Sequence, residues 1–141
     1  MDAAPVIQLS DLDLFADCTR GELRTIESLT TYLHLPKDRV LVTEGRPARE
    51  FIVIARGTAR LSRHAGGDGV DLSDVGQGEF IGERELLTGA PQAVTATAAT
   101  DLHVLVSSAS EFHSILQVAP SVADKVRRAF VAEPANLDTA A

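Results

Sequence analysis

The chain has 141 residues, of which 45% are hydrophobic and 23% charged, and a formal net charge of −7. That length suits one domain with its own core, and the balance is that of a globular rather than a disordered chain. The acidic balance argues against nucleic acid, whose phosphates require Lys and Arg; one cysteine, Cys18, excludes an internal disulfide and a multi-cysteine zinc site; and no apolar run nears the ~20 residues of a membrane span.

The first fifteen residues, MDAAPVIQLSDLDLF, lack a basic stretch followed by an apolar run. No signal peptide is expected, and a cytoplasmic setting with no membrane partner is. Residues 1–13 read as a polar leader. TRGELRTIESLTTYL then carries a helix signature. Thr19 and Glu22 form a capping box, and Leu23, Ile26, Leu29 and Leu33 recur on one face. Cys18 stands before this N-cap, where a thiolate is favoured. It has no partner in the sequence, so a structural role is the better reading.

From about residue 32 to 107 the segments shorten to four to eight residues rich in Val, Ile, Leu and Thr. YLHL, RVLVTEG, EFIVIARG, ARLSR, VDLSDVG, a short strand at Phe80, AVTATAA and LHVLV follow one another with turn residues between them. HAGGDG is the strongest hairpin tip, and Gly57 marks a bulge or a close backbone approach. Eight short strands without long helices between them predict a mainly β fold. The expected form is an eight-stranded antiparallel jelly roll, a double-stranded β-helix.

Helices return at the C-terminus. Ser108 and Glu111 form a second capping box, with Phe112, Ile115, Leu116 and Ala119 on one face. Pro120 interrupts, and Val122, Val126, Ala129 and Phe130 line the next face. One N-terminal and two C-terminal helices therefore flank the strands. The domain is expected over 14–132, with a flexible tail over 133–141.

The most informative stretch is GEFIGERELLTGAPQAVTATA, Gly78 to Ala98. Its glycines free the backbone for positive φ or close contact. ERELLT is long enough for about one and a half helical turns, whose N-terminus presents unpaired N–H groups. A plainer reading leaves Glu83 as a cap and nothing more.

With helix, jelly roll and two helices around it, this stretch resembles the phosphate-binding cassette of the cyclic-nucleotide-binding domain family. That family includes bacterial catabolite-activator regulators and protein kinase A regulatory subunits. Leu14-Phe15, Glu22-Leu23, Glu44-Gly45 and EFIVIARG from Glu50 to Gly57 carry the same resemblance, which runs from about Leu14 to Phe130. It implies a stand-alone regulatory module with cyclic AMP or cyclic GMP as ligand. Glu83 would accept from the ribose 2′-hydroxyl, and the Gly82–Arg84 backbone would face the sugar-phosphate. Phe130 or Val126 could reach over the pocket mouth.

One departure matters. The family places an arginine after the cassette proline, to pair with the cyclic phosphate, and then a small hydroxyl residue. Here those positions hold Gln92 and Ala93. A charge-assisted hydrogen bond contributes roughly 1.5–3 kcal/mol, and truncating one side of a buried charge pair costs roughly 2–5 kcal/mol. A micromolar site would weaken to tens of micromolar or beyond millimolar, at about 1.4 kcal/mol per tenfold. Arg84 is not placed to substitute, because it adjoins Glu83 and adjacent helix positions do not share a face. Gln92 remains as a neutral donor. Weak or lost cyclic-nucleotide binding is therefore expected.

The alternative is a degenerate interaction or adaptor module without a nucleotide ligand. It would meet a protein partner, or a second copy, through the C-terminal helices. His34, His64, His103 and His113 lack metal-triad spacing, and Ser107, Ser108 and Ser110 look like capping residues. No nucleophile–base order appears, so neither metal, cofactor nor catalytic activity is expected.

Overall fold

The computed structural model describes residues 8–64 and 69–132. The leader's first seven residues, residues 65–68 of the HAGGDG tip and the tail over 133–141 lie outside the described residues.

The N-terminal helix is α1 (Arg20–Ser28), and its Thr19/Glu22 capping box is formed. Its end differs from the expected face. Leu29 is the C-cap, and Leu33 belongs to strand β1 (Thr31–Leu35) and is 40% exposed. The run Thr30-Thr31-Tyr32 explains the early stop: β-branched and aromatic residues favour a pleated strand. That strand pairs with β8 (Leu102–Ser108) from Thr31↔Val106 to Leu35↔Leu102.

The other strands are β2 (Val40–Val42), β3 (Glu50–Arg56), β4 (Ala59–Arg63), β5 (Val70–Val75), β6 (Phe80–Ile81) and β7 (Thr95–Ala98). They make two four-stranded antiparallel sheets, ordered β1-β8-β3-β6 and β2-β7-β4-β5. This is the expected jelly roll. β4 and β5 pair antiparallel on either side of the undescribed tip.

β3 shows why the two layers hold together. Residues 51–55 are all buried, and their period-two alternation divides them between two cores. Ile52 and Ile54 turn between the sheets and join Leu102, Val104 and Val106 of β8. Phe51, Val53 and Ala55 turn outward to the helical layer, with Phe15, Ile26, Phe112 and Ile115. Phe51 and Phe112 rings lie 4.5 Å apart. Each such side chain, fully buried, contributes about 1.5–3 kcal/mol.

Gly57 makes the close approach expected of it. It has φ +100°, and a Cβ there would stand 2.3 Å from the Asp101 carbonyl oxygen.

The cassette helix is α2 (Glu83–Thr88), and the C-terminal pair is α3 (Ala109–Val118) and α4 (Pro120–Ala132). Ser108 and Glu111 cap α3 as expected. Pro120 opens α4 rather than merely breaking a helix, at a position where its missing N–H carries no penalty.

Two expectations need correction here. Leu9 and Leu12, assigned to the leader, pack in the helical-layer core with Leu14 and Phe15 through turns at Leu9–Asp11 and Asp13–Phe15. Val122 and Val126, on the face through which the adaptor alternative would meet a partner, are 0% and 1% exposed in that same core. Ala129 and Phe130, on the same face, are half-buried. No described helix is long and apolar enough to cross a membrane.

Candidate functional site

The cassette is shaped by its glycines. Gly82 ends β6 at φ +99°, and a Cβ there would lie 2.4 Å from the Glu50 carbonyl oxygen. Only glycine lets the chain turn against β3 at this point. α2 then begins, with Leu86 N–H donating to the Gly82 carbonyl at 3.0 Å. It closes at Gly89, φ +81°, whose N–H donates to the Glu85 carbonyl at 2.8 Å.

Within this six-residue helix, Glu83 and Glu85 are both buried. The sequence reading singled out Glu83 and missed Glu85. Glu85 ties the helix to the following segment, its Oε2 accepting from the Ala93 N–H at 3.4 Å. A second carboxylate two residues on, between the same glycines, was the available signal.

Arg84 and Phe130 do come together. The Arg84 guanidinium lies over the Phe130 ring, 4.9 Å from its centroid. This cation–π contact links the cassette helix to α4. Val126 does not reach over the cassette, being held in the core.

Gln92 is 6% exposed. Its N–H donates to the Arg46 carbonyl and its carbonyl accepts from the Gly45 N–H, both at 2.8 Å. Pro47 and Pro91 bridge beside them. The loop after β2 is thereby stitched to the cassette at the position of interest. Gln92 lines a cleft of about 410 Å³ together with Arg46, Pro47, Arg49, Glu50 and the residues of β2. Sequence reasoning overlooked both arginines. They flank Pro47 in TEGRPARE, and their charge was legible there, though not the fold that brings them to Gln92.

A second cavity, about 470 Å³, opens under α1, between Leu9, Leu12, Leu23, Glu27, Tyr32 and Leu105. It is remote from the cassette, and no cation lines it among the described residues.

The histidines sit on strands or surface. His34 and His103 face each other across β1 and β8 with rings stacked 4.6 Å apart. Nδ1 of His103 is hydrogen-bonded to the Tyr32 hydroxyl at 2.8 Å. Burial, then His34 and Arg56, holds the His103 pKa below the ordinary histidine value. Among the described residues no cluster of three or more potential ligands is placed to hold a metal. Burial pushes the Cys18 thiol up, against a 3.7 Å contact with the Ser121 hydroxyl.

The sequence profile of the cyclic nucleotide-binding domain matches residues 32–118. The chain belongs to that family. It is 31% identical over 121 residues to the acetyltransferase Pat of Mycolicibacterium smegmatis, covering 85% of this chain and 36% of that protein. A solved cAMP-binding acyltransferase from Mycobacterium smegmatis superposes with a TM-score of 0.73 at 30% identity, over 85% of this chain and 37% of that one. The catabolite activator protein of Thermus thermophilus superposes with a TM-score of 0.73 at 26% identity, over 84% and 56% of the two chains. The chain thus spans little more than a third of the acetyltransferase it matches.

Proposed function

We propose that this domain is a non-enzymatic, ligand-sensing regulatory module whose affinity for cyclic nucleotides is weak or lost. One observation carries the reading. The Gly82–Gly89 cassette is folded, and the residue after its proline is a neutral, buried Gln92. Glu83 would receive a ribose hydroxyl, and the Gly82–Arg84 backbone would face the sugar-phosphate. Gln92 and Ala93 bring no charge to the phosphate. A carboxylate and a phosphate would then share the pocket without a fixed counter-charge there.

The mycobacterial acyltransferase relative is a cAMP-binding protein. For this chain the same ligand class is the starting expectation, and catalysis is not. The lone cysteine supports a cytoplasmic setting.

The test is a calorimetric titration of the purified chain with cyclic AMP and cyclic GMP. Dissociation constants in the tens of micromolar or weaker are expected, after loss of one charge-assisted contact. Submicromolar binding of either nucleotide would refute the reading. Complete absence of binding, here and after the cation is restored, would favour the interaction-module alternative.

A further inference from the structure

The cleft beside Gln92 holds the positive charge that the cassette lacks. Arg46 and Arg49 line it on either side of Pro47, with Thr43 and Glu50 completing the polar wall. The loop that carries them is pinned by the hydrogen bonds at Gly45 and Arg46 and by the Pro47–Pro91 bridge. Gln92 is more than nine-tenths buried and lines the same space.

We propose that this cleft binds a small organic oxyanion, a phosphoryl or carboxylate group, using Arg46 and Arg49 as its cations and the Gln92 amide as a neutral donor. Guanidinium groups match either oxyanion with paired N–H donors. An amide can donate and accept without adding charge. Glu50 faces the same cleft, so the three ionised side chains sum to a single positive charge. That balance favours a ligand with one anionic group and a neighbouring hydroxyl for the Glu50 carboxylate. A volume of about 410 Å³ suits a molecule of sugar-phosphate size. The inference rests on the ligand-sensing reading, but it moves the charge recognition from the cassette to the loop after β2.

The experiment titrates the full chain with inorganic phosphate, ribose 5-phosphate and citrate. The variants are Arg46→Ala/Arg49→Ala, Arg49→Lys and Arg127→Ala, the last an exposed arginine of α4 outside the cleft, each checked for folding by circular dichroism. Ribose 5-phosphate is expected to bind at millimolar concentrations or below. Affinity should fall with added salt, since both arginines are exposed. The double alanine variant should bind at least about tenfold more weakly, the loss of one charge-assisted contact or more. Arg49→Lys should retain part of the affinity, and Arg127→Ala all of it. Preference for phosphate or for citrate identifies the source of the oxyanion. The proposal is overturned if the wild-type chain binds none of the three, or if the double variant binds as the wild type does. Equal loss in Arg127→Ala would also overturn it, by showing a general effect of charge rather than a site. None of these outcomes depends on whether cyclic AMP binds.

Discussion

Gln92 and Arg46 are joined backbone to backbone, the N–H of Gln92 donating to the Arg46 carbonyl at 2.8 Å. The residue that replaces the expected cassette cation is therefore fixed beside a loop that carries two cations of its own. Pro91 is followed by the neutral Gln92 and Ala93, whereas Arg46 and Arg49 stand on either side of Pro47. The cassette's glycine turns at Gly82 and Gly89 keep positive φ, +99° and +81°.

Gly82→Ala should destabilise the fold by roughly 2–4 kcal/mol, because strain at positive φ adds to a steric clash. The added methyl would meet the backbone carbonyl of Glu50 at 2.4 Å, and β3 cannot yield without disturbing its pairing with β8. Urea unfolding measures this directly. A loss under about 0.5 kcal/mol, the range of neutral surface changes, would contradict it.

Deleting the chain after Pro120 should cost stability rather than release a monomer. Val122 and Val126 are core residues, and their burial contributes about 1.5–3 kcal/mol each. A lowered melting temperature with exposed apolar surface is expected. Unchanged stability would show that α4 packs loosely.

Much of this architecture was legible in the residues. Both capping boxes, the eight strands and the Gly57 approach follow from local chemistry that the fold does not override. Leu33 was misplaced because a helical spacing continues by chance into a strand whose Thr and Tyr residues pair with β8. Val122 and Val126 form a stripe that looks equally apolar whether it meets a partner or its own sheet. Arg46 and Arg49 escaped notice for a different reason. They lie 46 and 43 positions before Gln92, and only strand pairing brings them alongside it.

Cys18 should react slowly with maleimide at neutral pH. Burial raises its pKa more than the Ser121 contact lowers it, so the thiolate fraction is below that of a free cysteine. The midpoint of rate against pH should lie above that of free cysteine. A midpoint below it would indicate an activated thiol.

His103 supplies a pH dependence of stability. Its folded pKa lies below its unfolded value of 6.5, so the unfolded chain binds the proton more readily. The contribution is intact above pH 6.5 and is lost as pH falls through the depressed folded value. Unfolding midpoints should decline over that window, and the decline should lessen in His103→Gln. Proton NMR of the ring gives the pKa itself. A titration midpoint above 6.5 would reverse the sign.

The central claim is that the cassette is built and lacks only its cation. Calorimetric titration of cyclic AMP into Gln92→Arg and Gln92→Arg/Ala93→Ser tests it most directly. A guanidinium at residue 92 should add roughly 2–4 kcal/mol, and the serine hydroxyl about 1 kcal/mol. Binding about thirtyfold to a thousandfold tighter than in the wild-type chain is therefore predicted for Gln92→Arg. Glu83→Ala in the same background should remove much of the gain, because Glu83 is buried in the cassette helix where the ribose would lie. A folded double variant that binds no cyclic AMP at millimolar concentration would contradict the claim, since the pocket would then be closed by its own side chains.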